Sequence, residues 1–110
     1  MIERRRLGGS TLEVSAIGLG CMSMSGAYGP GDDAQSVAVV QRALDLGINF
    51  LDSSDMYGWG HNETLLGQAL RGRRERAVLS TKTGIVRRAD DPEFRAVDGR
   101  PERIAPALDA

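Results

Sequence analysis

A chain of 110 residues, 41% hydrophobic and 26% charged with net charge −1, has the composition of an ordinary globular protein and is long enough for at most one domain. That charge balance gives no electrostatic reason to expect nucleic acid or an anionic membrane as a partner. The single cysteine, Cys21, excludes an intrachain disulfide, and the chain opens on Met1-Ile2-Glu3-Arg4-Arg5-Arg6 with no apolar run of signal or span length, so a reducing, cytoplasmic setting is expected.

In chain order, residues 4–7 and 12–14 flank a Gly8-Gly9-Ser10 turn and predict a small hairpin. Residues 16–20 predict a short buried strand that runs into a loop over 21–31. Asp32 or Asp33 then caps a helix, with Val37, Val40 and Leu44 at helical spacing and Gly47 as its left-handed stop. Residues 48–51 predict a second strand and 52–61 a loop. Asn62 and Glu63 open a second helix carrying Leu65, Leu66, Ala69 and Leu70, which ends near Gly72. A third strand follows over 77–81, then a long polar loop over 83–99. Pro101 suits the first turn of a third helix with Ile104 and Leu108 on one face. A hairpin followed by alternating strands and helices implies a parallel sheet covered by helices. A (β/α)8 barrel and an open doubly wound sheet share that signature, and both place active residues at the carboxyl ends of strands.

Most of the conspicuous motifs have plain explanations. Gly18-Leu19-Gly20-Cys21-Met22-Ser23 lacks the third glycine of a dinucleotide fingerprint, and the next helix starts too late to hold a pyrophosphate. His61-Asn62-Glu63 lacks the partner ligands of a zinc site, so His61 is expected to be an exposed loop histidine and no metal is expected. Cys21 is expected to pack. The arginines of 4–6 and 71–76 are expected to be solvated.

Asp52, Tyr57 and Lys82 differ because each needs the others. Lys82 is the only lysine among 14 basic residues, and it stands where a strand ends. Asp52 ends the neighbouring strand, within ion-pair reach if the two strands lie roughly 4.8 Å apart. An ammonium beside a phenol favours the phenolate, which makes the phenol a better proton donor near neutral pH.

Three blocks then agree in order and register: 47–58 (Gly-Ile-Asn-Phe-Leu-Asp-Ser-Ser-Asp-Met-Tyr-Gly), 62–70 (Asn-Glu-Thr-Leu-Leu-Gly-x-Ala-Leu) and 79–84 (Leu-Ser-Thr-Lys-Thr-Gly). With the opening Leu7-Gly8-x-Ser10-x-Leu12-x-Val14-Ser15 and Ile17-Gly18-Leu19-Gly20, they resemble the aldo-keto reductases over nearly the whole chain. The resemblance implies the amino-terminal portion of a (β/α)8 barrel with a leading hairpin, residues 1–110 being one incomplete domain. It implies NADPH-dependent reduction of small aldehydes or ketones. Tyr57 matches the family's proton donor, Lys82 the lysine that activates it, and Asp52 the aspartate paired with that lysine. Cys21, Met22 and Asp52 match positions bordering the nicotinamide. The family's catalytic histidine, on the fourth strand, and the segments that grip the nucleotide fall beyond Ala110. A non-catalytic remnant, or a regulatory or scaffold subunit, is the alternative expectation, with self-association through unpaired barrel edges. Met56, Trp59 and Tyr28 are candidate apolar neighbours of the pocket.

Overall fold

The computed structural model describes residues 1–26 and 29–110; Tyr28 lies outside them. Strands β1 (Arg4–Arg6) and β2 (Glu13–Ser15) form the expected antiparallel hairpin. It is tied to the main sheet by Asn49, whose side chain accepts from the Ser15 amide at 2.7 Å and donates to the Glu13 carbonyl at 3.0 Å.

The main sheet has three parallel strands in chain order: β3 (Leu19–Gly20), β4 (Phe50–Asp52) and β5 (Val78–Ser80). All three are shorter than the sequence implies. Their register aligns Leu19, Leu51 and Leu79 in one row and Gly20, Asp52 and Ser80 in the next. Successive side chains of a strand point to opposite faces. Leu51 is therefore fully buried under the helices, while Asp52 emerges on the other face at the strand tip. Gly18 allows the first strand to approach the second closely, since a Cβ there would lie 3.1 Å from the Phe50 carbonyl oxygen.

Helix α1 (Asp33–Asp45) starts where Asp32, in an extended conformation, accepts from the Gln35 amide at 3.1 Å. It stops at Gly47, whose φ of +93° suits a residue without a Cβ. Its Val40, Ala43 and Leu44 are buried against α2 (His61–Ala69), which contributes Leu65, Leu66 and Ala69. With Leu51, Leu70 and Cys21 these residues form the core. Truncating one of its leucines to alanine costs roughly 2–5 kcal/mol.

The segment 83–99 departs from expectation. It is an antiparallel ribbon, β6 (Ile85–Arg88) and β7 (Asp91–Val97), rather than an irregular loop. Its strands are mostly exposed and carry Pro92 and five charged residues, so no apolar alternation announces them. Arginine–aromatic stacking supplies the contacts instead: Arg88 lies 5.3 Å from the Phe94 ring, and Arg87 and Arg95 lie 4.8 and 5.0 Å from the Trp59 ring. Helix α3 (Pro101–Asp109) follows with Pro101 in its first turn. Asp98 accepts from the Arg100 amide and from the Arg100 and Arg103 guanidinium groups, which anchors its start.

Candidate active site

The carboxyl ends of β4 and β5 bring Asp52 and Lys82 together as expected. Backbone pairing continues past both strand ends, with the Ser53 amide donating to the Ser80 carbonyl at 2.7 Å and the Asp55 amide to the Lys82 carbonyl at 3.1 Å. This continuation keeps the loop after β4 alongside Lys82. The loop then enters a tight 3-10 turn over Tyr57–Gly60, which turns Tyr57 back towards the strand tips.

Lys82 Nζ donates to Asp52 Oδ2 at 2.8 Å, to the Ser53 carbonyl at 2.6 Å and to Tyr57 Oη at 3.2 Å. An ammonium has three N–H donors, and here each has one acceptor. Because Tyr57 Oη accepts from lysine, its own O–H remains available to donate. Both charged side chains are about half exposed, Lys82 at 49% and Asp52 at 45%, so the trio opens to solvent. Burial pushes the Asp52 carboxyl up, but hydrogen bonds from Lys82 and Ser80 and the nearby ammonium outweigh it and hold the group below its ordinary range. Burial pulls the Lys82 ammonium down, and hydrogen bonds and charge from Asp52 and Tyr57 raise it above its ordinary value.

Gly20 neighbours Asp52 in register on the same face, and a Cβ built there meets nothing within 4 Å. The strand tips thus present a flat, open floor beside the three polar groups. Cys21 does not line that floor with its side chain. It is fully buried in the core, and burial pushes its thiol up to about 11. Its backbone is also committed, the amide to the Asp52 carbonyl at 3.0 Å and the carbonyl to Asn62 Nδ2 at 2.7 Å. Met22 and Met56 are partly buried. A groove of about 540 Å³ runs between Trp59, the ribbon and α3, but touches none of the three polar residues. A smaller one of about 150 Å³ reaches Lys82, with Ile104 and Leu108 on its wall.

His61 is not an exposed loop residue. It is the first residue of α2, with Nδ1 2.7 Å from Ser25 Oγ and Nε2 2.9 Å from Asp33 Oδ1. Sequence reasoning also passed over Ser53 and Asn62. Asn62 is fully buried; it accepts from Ser53 Oγ at 2.6 Å and donates to Ser25 Oγ at 3.0 Å. The available signal was a polar Asn in the first turn of a helix, three residues before the pair Leu65-Leu66.

Among the described residues no group of three potential ligands gathers around a metal position, and no helix is long and apolar enough to cross a membrane.

Comparison with known proteins identifies the fold and the family. Over its 110 residues the chain is 41% identical to aldo-keto reductase yakc of Schizosaccharomyces pombe, whose name carries NADP(+), across 98% of this chain and 32% of that protein. It is 46% identical over 82 residues to pyridoxal 4-dehydrogenase of Microbacterium luteolum, covering 74% of this chain and 24% of that one. Its fold superposes on the holo form of aldo-keto reductase AKR11C1 from Bacillus halodurans with a TM-score of 0.85 at 37% identity, over 99% of this chain and 35% of the other. The chain therefore spans about a third or less of the length of these relatives. That superposition decides between the two architectures: the three parallel strands and their helices are part of a (β/α)8 barrel. The Aldo/keto reductase family model matches residues 16–110, and the chain belongs to that family.

Proposed function

We propose that residues 1–110 supply three βα units of a barrel that reduces small aldehydes or ketones to alcohols with NADPH, with Tyr57 as proton donor. The observation that carries this reading is the filled donor set of Lys82, which leaves the Tyr57 hydroxyl hydrogen free. The strand tips suit the reacting end of a nicotinamide: Gly20 leaves open space beside Asp52, with Cys21 as buried support rather than a contact and the partly buried Met22 next in the chain. When bound there, NADPH supplies the hydride that the carbonyl carbon takes up.

Tyr57 gives its proton to the carbonyl oxygen, completing the alcohol, and regains one from solvent. As the proton leaves, negative charge develops on Oη, 3.2 Å from Lys82 Nζ, where the ammonium stabilises it. Asp52 and the Ser53 carbonyl hold the ammonium in place. Such positioned proton transfer contributes typically 10²–10⁴-fold.

Tyr57→Phe in the full-length protein tests the reading. NADPH-dependent carbonyl reduction should fall by about 10³-fold, while NADPH binding, followed by isothermal titration calorimetry, is retained. Turnover within tenfold of the parent would rule Tyr57 out as the donor.

A further inference from the structure

His61 is the only histidine in the chain, and its imidazole joins three segments. It opens α2 directly after the turn that carries Tyr57. Its Nδ1 meets Ser25, at the end of the 3-10 turn Met22–Ser25, and its Nε2 meets Asp33, the first residue of α1. A carboxylate only accepts, so the neutral ring carries its hydrogen on Nε2 and Nδ1 accepts from the Ser25 hydroxyl.

A serine, a histidine and an aspartate in that order have the connectivity of a hydrolase triad. The surroundings suit a different use. Asn62 Nδ2 also donates to Ser25 Oγ at 3.0 Å, and the backbone of Gly58 lies close against the pair. A Cβ added at Gly58 would lie 2.8 Å from His61 Cβ and 3.1 Å from Ser25 Cβ. Neither groove among the described residues is lined by Ser25. Ser25 Oγ is instead engaged by two partners, His61 and Asn62.

The same contacts suit a support. Gly58 is the residue after Tyr57, so the backbone that aims the phenol rests on the Ser25–His61 pair. From that pair a continuous chain of bonds leads to the ammonium. Asn62 bonds Ser25 Oγ at 3.0 Å and accepts from Ser53 Oγ at 2.6 Å, and the Ser53 carbonyl accepts from Lys82 Nζ at 2.6 Å. The phenol and its lysine are thus both referred to one frame, buried at Asn62 and Ser53 and partly exposed at Ser25 and His61.

We propose that His61 is a positioning residue for the carbonyl reduction, fixing Tyr57 through its bond to Ser25. The inference rests on the reading of Tyr57 as proton donor. A displacement of about 1 Å at a reacting group can cost 10²-fold, so loss of the support is expected to show in turnover rather than in binding.

Steady-state kinetics of variants of the full-length protein, with NADPH and an aldehyde it reduces, test this. His61→Leu keeps bulk and removes both bonds; kcat should fall roughly 10- to 100-fold, with KM for the carbonyl and the NADPH affinity within about twofold. His61→Asn keeps a polar group at the Nδ1 position and should recover most of the lost turnover, whereas His61→Gln, which reaches towards Asp33, should not. Ser25→Ala should reproduce the His61→Leu loss, and the double variant should add little to it. If His61→Leu does not fold, Ser25→Ala and the Asn–Gln contrast carry the test. Full turnover in His61→Leu or in Ser25→Ala, or equal turnover in His61→Asn and His61→Gln, overturns the positioning role. Should Tyr57→Phe keep its activity, the proton-donor reading falls instead, which is a separate outcome.

Discussion

Lys82 Nζ donates to the main-chain carbonyl of Ser53 at 2.6 Å, a shorter contact than the 2.8 Å bond to its charged partner Asp52. A backbone carbonyl cannot be removed by mutation, so part of the lysine's anchorage persists when the carboxylate is lost. Asp52→Asn should therefore be the milder lesion, lowering kcat about tenfold, and Lys82→Met the severe one, at about 10³-fold, because it removes the cation facing Tyr57. Equal losses in the two variants would mean that the carboxylate, not the carbonyl, holds the ammonium.

The Asp52–Lys82 pair also sets a pH window for stability. Asp52 is depressed in the folded chain, so its contribution is present above the unfolded carboxylate value of about 3.9 and is lost as pH falls through the folded value. Lys82 is raised, so its contribution is complete below about 10.4 and is lost as pH rises through the folded value. Both side chains are about half exposed, which keeps the effect small. The difference in melting temperature between the parent and Asp52→Asn should be flat from about pH 5 to 9 and shrink in acid. A maximum near pH 6.5 would assign the effect to another group.

Asp52 and Lys82 could be read from the chain because both stand at strand ends, where parallel pairing alone brings side chains within reach. Tyr57 needed more. Its placement depends on the turn over Tyr57–Gly60, whose Gly58 and Gly60 have φ of +62° and +101°. The support beneath it was not readable: Ser25 and His61 are 36 positions apart, and Asn62 and Ser25 are 37 apart. Isolated polar residues carry no periodic signal of burial. The ribbon β6–β7 was missed for the opposite reason, since it buries too little apolar surface to impose alternation.

Cys21 gives a direct check on the core. With no exposed surface and its thiol pushed by burial to about 11, it should resist alkylation by iodoacetamide at pH 8 and react on unfolding in guanidinium. Rapid labelling of the native protein would place the sulfur at an open strand tip instead of under α2.

The 110-residue chain on its own exposes Leu79 at 38%, Ile104 at 50% and Leu108 at 68%, and β3 and β5 are the outer strands of its parallel sheet. Apolar side chains beside open strand edges favour association. Sedimentation of the purified 110-residue chain should show species larger than a monomer at micromolar concentration. The double substitution Ile104→Glu and Leu108→Glu should shift that distribution towards monomer. Monomeric behaviour of the unsubstituted chain would show that these surfaces do not associate.

Trp59 tests how the ribbon is held. Its φ of 51° and ψ of 58° are unusual for a bulky residue and cost about 1–3 kcal/mol. Stacking with Arg87 and Arg95, about 0.5–1 kcal/mol for each at exposed sites, offsets part of that cost. Trp59→Gly removes both the strain and the stack, so global stability should change by no more than about 1 kcal/mol. The local consequence is larger, because the two guanidinium contacts fasten the ribbon to the turn after β4. Amide hydrogens of residues 85–97 should exchange at least tenfold faster in Trp59→Gly, while those of α1 and α2 keep their protection. Unchanged exchange in the ribbon would show that its own backbone pairing, and not the tryptophan, keeps it in place.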